Sequence, residues 1–204
     1  MAARHSQAVP RILGLTGPIA CGKTTVGTML LGMGALARID ADDVAHDLME
    51  PGTETTHRIE QTFGPEVVAP NGAVDRRALG GRVFADADAL DRLEEIVHPA
   101  VRPAIRTRLE SFNGLDGIVV LDAVKLLQSN LADLCSAIWV VQCTRDEELR
   151  RLTEDRAMSS EDADNRLAAQ PSFDDPRVTA VIDNSGTQEQ TLAQVRRLWD
   201  ELNR

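Results

Sequence analysis

Tyrosine is absent from this chain, and aromatic residues make up only 3% of it. Aromatic platforms that stack single-stranded nucleic acid are therefore not expected. Positive charge is also in short supply. Lys and Arg number 22 against 32 Asp and Glu, for a formal net charge of -10. That balance argues against nonspecific binding to nucleic acid or to a membrane surface, both of which need a basic face. It leaves a nucleotide open, because a local pocket of backbone N–H groups, Lys and Arg binds phosphate on an acidic protein. The three cysteines, Cys21, Cys135 and Cys143, lack CxxC or any other metal-site spacing. Their odd number fits a reducing compartment. No segment approaches the roughly 18 consecutive apolar residues of a membrane span. The opening "MAARHSQAVP" is polar and has no apolar signal core. A cytoplasmic protein with a flexible tail over residues 1–10 is the expectation, with no repeat and no low-complexity tract.

What is present is a packed core's worth of apolar residue, 43% of 204 residues. Short apolar runs alternate with amphipathic stretches. "RILGLT", "ALARID", "GIVVLD", "SAIWVVQC" and "TAVID" read as five strands. "KTTVGTMLLGMG" reads as a helix closed by a glycine-rich end. "RDEELRRLTEDR", "SEDADNRLAAQ" and "QEQTLAQVRRLWDEL" are charged and helical. Strands alternating with helices predict an α/β fold, a parallel sheet flanked by helices. The stretch between the second and third strands is too long for a simple crossover. Its three- and four-residue apolar steps predict a helical lobe over about 53–114, with "DADALDRLEEIV" and "PAVRPAIRTRLESF" as separate helices on either side of His98-Pro99.

The chemistry starts at "GLTGPIACGKTT". Gly17, four residues, then Gly22, Lys23 and Thr24 form a P-loop pattern. Its required setting of strand, loop and helix is supplied. Backbone N–H groups from Gly17 to Thr24, at the start of a helix, suit phosphate. Lys23 suits the β- and γ-phosphates, and the Thr24 hydroxyl suits Mg²⁺. Pro18 has no N–H to give. Ala20 is expected to avoid any backbone angle that only glycine tolerates. Cys21 lies within the loop and is read as accessible, the other cysteines as packing residues.

Further carboxylates and cations gather around this motif. "RIDADDVAH" ends a strand, where ligands of open parallel sheets collect. Of Asp40 and Asp42, one suits the helix cap and the other the site, as proton acceptor or metal partner. Asp43 is read as solvated. Asp122 closes "IVVLD" like a Walker B carboxylate or, equally, as a strand-end turn residue. Arg150, Arg151, Arg156 and Arg166 lie in a segment suited to a lid over phosphates, although i,i+4 ion pairs account for most of them. Arg156, outside the clearest helical runs, is the lid candidate. His98 is read as a polar group facing the lobe's pocket.

Together these residues resemble the dephospho-CoA kinase family, over roughly residues 11–196. The resemblance rests on "GLTG", "GKTT", "IDADDVAHDLMEPGT", "FGPEV", "NGAVDRRALGGRVF", "LEEIVHP", "RLAAQ" and "VIDNSG", in order and at similar spacing. It implies a P-loop kinase fold, with a five-stranded parallel sheet, an inserted helical acceptor lobe and a lid over about 150–176, all in one domain over residues 11–204. It implies transfer of phosphate from ATP to the ribose 3′-hydroxyl of dephospho-CoA, with Mg²⁺, by a monomer or weak homo-oligomer. On that resemblance Gly17, Pro18, Ala20, Cys21, Gly22, Lys23, Thr24 and Thr25 meet ATP, with Arg150, Asn184 and Gly186. Asp42 is the general base, supported by Asp40, and Lys23 and Arg156 act on the phosphates. Asp75, Arg76, Arg77, His98 and Asp122 fall on the acceptor side, and Gln170 ends the lid motif. The chain departs from the family pattern at Pro18 and Ala20, at Cys21, at Lys125 and Gln128 in "DAVKLLQSNL", and in keeping only Arg177 before the last strand. Another P-loop small-molecule or nucleotide kinase, or a degenerate ATP-binding relative, is the alternative.

Overall fold

The computed structural model describes residues 8–83 and 86–204. The expected N-terminal tail lies, for residues 1–7, outside the described residues, as does Phe84 of the "GGRVF" run. The chain divides into two compact units, Met1–Ile39 with Phe112–Arg204, and Asp40–Ser111.

The first unit is built on a five-stranded parallel sheet. In chain order its strands are β1 (Arg11–Thr16), β2 (Ala37–Asp40), β3 (Ile118–Asp122), β4 (Ala137–Gln142) and β5 (Ala180–Asp183). In space they run β2-β3-β1-β4-β5. β1 lies between β3 and β4, with Leu13 opposite both Val120 and Ala137. Every residue of β3 is buried, which is why its sequence is a continuous apolar run and not an alternating one. Leu13, Leu15, Ile118, Val120, Trp139, Val141 and Ile182 pack with Val26 and Leu30 of α1 (Lys23–Gly32) and Val195 and Leu198 of α8 (Gln188–Leu202). Removing one such Leu side chain costs about 2–5 kcal/mol. That core holds the carboxyl ends of β1, β4 and β5 in fixed register.

The same unit contains α6 (Arg145–Arg150), which runs into a π-helical turn at Arg151–Asp155, and then α7 (Ser160–Ala168). Leu152, Ala163 and Leu167 form a small second core, with Ile19 and Ala20 of the glycine loop packed against it.

In the second unit, α2 (Ala41–Asp47), α3 (Glu54–Phe63) and α4 (Arg76–Val83) each pack on α5 (Ala87–Glu110). Here the sequence expectation needs correction. His98-Pro99 does not separate two helices, because α5 passes through both Pro99 and Pro103. Each proline removes one N–H, whose acceptors would be the carbonyls of Glu95 and Pro99. Glu95, Pro99 and Pro103 are all exposed, on the face of the helix where a carbonyl without its N–H partner is open to solvent. The buried stripe of Ile96, Val97, Val101, Ile105 and Leu109 continues uninterrupted.

Candidate active site

The loop from Gly17 to Gly22 connects the end of β1 to α1 and is held largely through its carbonyls. Lys23 Nζ donates to Gly17 O at 3.0 Å. The Cys21 N–H reaches Pro18 O at 3.5 Å. Arg151 Nη1 donates to Ala20 O at 3.1 Å, and Asn184 Nδ2 to Cys21 O at 2.8 Å. Carbonyls committed to protein donors leave the loop's N–H groups other than those of Ile19 and Cys21 for an anion. The helix that follows fits this reading. α1 has no side-chain cap and no acid in its first turn. Asp40, Asp75, Asp86, Thr144, Ser159 and Thr187, by contrast, cap the helices that follow them. An uncapped helix start offers its first N–H groups and the positive end of its dipole. Thr24 and Thr25 are exposed there.

Two loop glycines are dictated by close approach. A Cβ on Gly17, at φ +144°, would sit 2.0 Å from Val141 O. One on Gly22, at φ +89°, would meet Asn184 Nδ2 at 2.2 Å. Ala20 corrects the sequence expectation, since it does occupy the left-handed region, at φ +62°. That conformation costs an L-residue about 1–2 kcal/mol. Contacts on both sides hold it in place. Ile19 N–H donates to Gln170 Oε1 at 2.5 Å, Arg151 grips Ala20 O, and both loop residues join the Leu152 core.

Cys21 is also corrected. It is buried, not accessible, with its Sγ 2.7 Å from Cys143 Sγ and donating to Glu148 Oε1 at 3.1 Å. Asn184 is buried and fully engaged. Besides donating to Cys21 O, its side chain accepts from Thr191 Oγ1 at 2.6 Å, and its backbone carbonyl accepts from Arg151 Nη2 at 2.8 Å. Gly186 lies beside Gln190 Oε1, where a Cβ would come within 2.1 Å. That Gln190 oxygen closes the capping box of α8. The Ser185 hydroxyl and N–H hold the Asp183 carboxylate below its ordinary pKa.

Among the arginines, sequence reasoning emphasised Arg150 and Arg156 and passed over Arg151. Arg150 is exposed and pairs with Glu147, Glu154 and Asp155. Its guanidinium is the main reason Glu147 is pulled down to about 2, with Arg151 adding to the effect and burial opposing it. Arg151 is largely buried and straps Ala20 to Asn184. The signal was the helical phase, since Arg151 follows Glu148 by three and precedes the fully buried Leu152. Arg156 ends the π-helical turn, exposed and without an ion pair among the described residues.

Asp122 is buried, and Arg38 clasps it at 2.7 Å from Nη2 and 2.9 Å from Nε. Gln128, at the departure in "DAVKLLQSNL", donates to Ser172 O at 2.9 Å. Arg177 is tied to Asp175 and to Leu127 O.

In the second unit Asp40 caps α2, accepting from the Asp42 N–H at 3.0 Å, while the Asp42 side chain is exposed. Asp75 caps α4, with Arg76 and Arg77 exposed beside it. His98 does not face a pocket. It projects from α5 with 59% of its side chain exposed and Glu94, one turn earlier, at 4.0 Å. A histidine outside the buried stripe of an amphipathic helix faces water.

The dephospho-CoA kinase family model matches residues 11–190. Dephospho-CoA kinase of Symbiobacterium thermophilum is 44% identical over 93% of this chain and 80% of its own length. That of Geobacter metallireducens is 42% identical over 93% and 96%. The crystal structure of TT1252 from Thermus thermophilus aligns with TM-score 0.78 and 30% identity, covering 96% of this chain and 99% of that one.

Proposed function

We propose that this chain, which belongs to the dephospho-CoA kinase family, phosphorylates the ribose 3′-hydroxyl of dephospho-CoA with ATP, giving CoA and ADP. This is the last step of coenzyme A biosynthesis. One observation supports the nucleotide half above all others. The uncapped start of α1 follows a loop whose carbonyls are held by Lys23, Arg151 and Asn184.

The chemistry follows from those parts. Phosphoryl transfer needs alignment and charge neutralisation more than covalent help from the protein. The loop N–H groups and the α1 terminus receive the phosphates, and Lys23 exchanges Gly17 O for phosphate oxygen. The exposed Thr24 hydroxyl fits a hard cation. Mg²⁺, when bound there, would neutralise phosphate charge. Asp42 accepts the proton of the acceptor hydroxyl. Asp40 holds the turn that presents it, and Arg156 closes over the transferring group from the 150–176 lid. Asp75, Arg76, Arg77 and Asp122 serve the acceptor side. No helix among the described residues is long and apolar enough to cross a membrane.

The test mixes the protein with ATP, Mg²⁺ and dephospho-CoA and follows CoA and ADP by mass. Stoichiometric CoA is expected. Lys23→Ala and Asp42→Asn should each lower kcat by about a hundredfold or more. Asp42→Asn should keep ATP affinity. ATP hydrolysis without CoA formation would overturn the acceptor assignment.

A further inference from the structure

Beneath the glycine loop, Cys21, Cys143, Glu148 and Arg151 form one cluster that phosphoryl transfer does not use. The two sulfurs are 2.7 Å apart, although the residues are 122 positions apart in the chain. Cys21 also donates to Glu148 Oε1, and Arg151 Nη1 lies 3.9 Å from Cys143 Sγ. Glu148 is itself buried, and Cys21 is its side-chain donor among the described residues. Cys143 is partly exposed, at the end of β4, whereas Cys21 is wholly buried. The two sulfurs and the carboxylate also lie close enough to hold a cation. The Arg151 guanidinium disfavours one, because it already supplies positive charge at the Cys143 sulfur.

We propose that Cys21 and Cys143 are a peroxide-reactive thiol pair whose disulfide loosens the strap on the glycine loop. The cluster divides the labour between the two sulfurs. Cys143 is held below its ordinary pKa chiefly by its contact with the Cys21 sulfur and further by Arg151, against burial and the nearby Glu148 and Glu147. Cys21 is pushed upward by its bond to Cys143, by burial and by Glu148. The thiolate is the nucleophile, so Cys143 reacts first, from the side open to solvent. Its sulfur attacks one peroxide oxygen. An S–O bond forms, the O–O bond breaks, and hydroxide leaves as water with a proton from solvent, giving a sulfenic acid. Cys21 then attacks the Cys143 sulfur, passing its proton through Glu148 to the departing hydroxide. An S–S bond forms and the S–O bond breaks. Two thiols and one peroxide yield one disulfide and two waters.

The consequence reaches the loop through Glu148. Oxidation removes the thiol proton that satisfies this buried carboxylate. A buried acceptor that loses its donor takes another one. Arg151 is the cation of the cluster; its Nε stays on Glu147, 2.8 Å away, while its Nη1 and Nη2 leave Ala20 O and Asn184 O for Glu148. Ala20 is the strained residue of the loop, so it moves when its carbonyl is released. The sulfur that forms the bond sits two residues before Lys23. A thiol pair of this kind suits a reducing compartment, where disulfides are transient and regulatory.

The full chain, reduced and freed of reductant, is treated with hydrogen peroxide, quenched with catalase and weighed intact. The expected result is loss of the mass of two hydrogens, with a Cys21–Cys143 cross-linked peptide after digestion. kcat/KM for ATP should fall by about tenfold and recover with dithiothreitol, because displacement of an aligned loop slows transfer. Cys143→Ala and Cys143→Ser should keep basal activity and lose the mass change and the peroxide sensitivity. Cys135→Ala should retain both. The mass readout stands even if the acceptor assignment fails. Oxygen addition without a cross-link, or a cross-link persisting in Cys143→Ala, overturns the pairing. A Cys21–Cys143 disulfide that leaves turnover unchanged overturns the link to the loop.

Discussion

The nucleotide loop and the helical lobe proposed for the acceptor are built on opposite plans. In the loop, side chains distant in sequence converge on single backbone atoms: Gln170 on Ile19, Arg151 on Ala20 and Asn184 on Cys21. In the lobe, the described contacts of the candidates are short in sequence. Asp40 and Asp75 cap the helices they precede, and Arg76, Arg77 and His98 face solvent. Phosphate geometry must be rigid before ATP arrives, since the loop has little else to offer. Exposed charges on helices, if they are the proposed acceptor site, need gain their order only when the ligand binds. Stability and activity are therefore coupled in the first region and separable in the second.

The sharpest way to break that comparison is one substitution on each side. Asn184→Ala takes the side-chain donor from Cys21 O and leaves the Thr191 hydroxyl with Thr187 O alone, at 3.3 Å. It should cost about 2–4 kcal/mol in chemical denaturation. It should also lower kcat/KM for ATP by roughly a hundredfold. Arg77→Ala should leave stability within about 0.5 kcal/mol of wild type. Its effect should be a rise in KM for dephospho-CoA of about tenfold, the worth of one good charge-assisted contact. If Asn184→Ala loses stability yet keeps its ATP kinetics, the loop is not organised from below, and the contrast collapses.

A smaller effect sharpens the contrast inside the lobe. Asp75 accepts from the N–H groups of Arg77 and Ala78. Asp75→Ala should destabilise by about 1 kcal/mol, the usual cost of a lost cap. Asp75→Asn should restore most of that loss while leaving the acceptor KM altered only if the carboxylate itself meets substrate. Matching kinetics for Asp75→Asn and wild type would assign this residue to the helix alone.

Much of this architecture can be read from the amino acids, because its signals are local. Five apolar runs mark five strands, and Gly17, Gly22, Lys23 and Thr24 mark the loop between the first strand and its helix. What escaped depends on distant atoms or on the side of a helix that a residue faces. Pro99 and Pro103 look like helix breaks until their positions on the solvent face of α5 are known. Arg150 and Arg151 are neighbours in sequence and both pair with Glu147, but only Arg151 also bridges two backbone carbonyls, and only the burial of Glu148 and Leu152 tells them apart. Cys21 and Cys143 have no spacing motif, since the two meet only through the adjacency of β1 and β4.

Ala20 provides the finest test, because glycine and alanine make different physical demands there. The left-handed conformation at φ +62° strains alanine but not glycine. Glycine, however, adds freedom to the unfolded chain and removes a methyl from the Leu152 core. The strain of about 1–2 kcal/mol exceeds the entropic advantage of alanine, so Ala20→Gly should stabilise the protein by about 0.5 kcal/mol. Its kinetics should move the other way. With the strain relieved, the loop depends less on Arg151, and a second substitution, Arg151→Lys, should cost less ATP efficiency in Ala20→Gly than in wild type. A double-mutant cycle reads this directly as a coupling between the two sites. Additive effects would mean that Arg151 merely packs beside the loop, and that the left-handed turn is held by the Ile19–Gln170 bond and the Leu152 core alone.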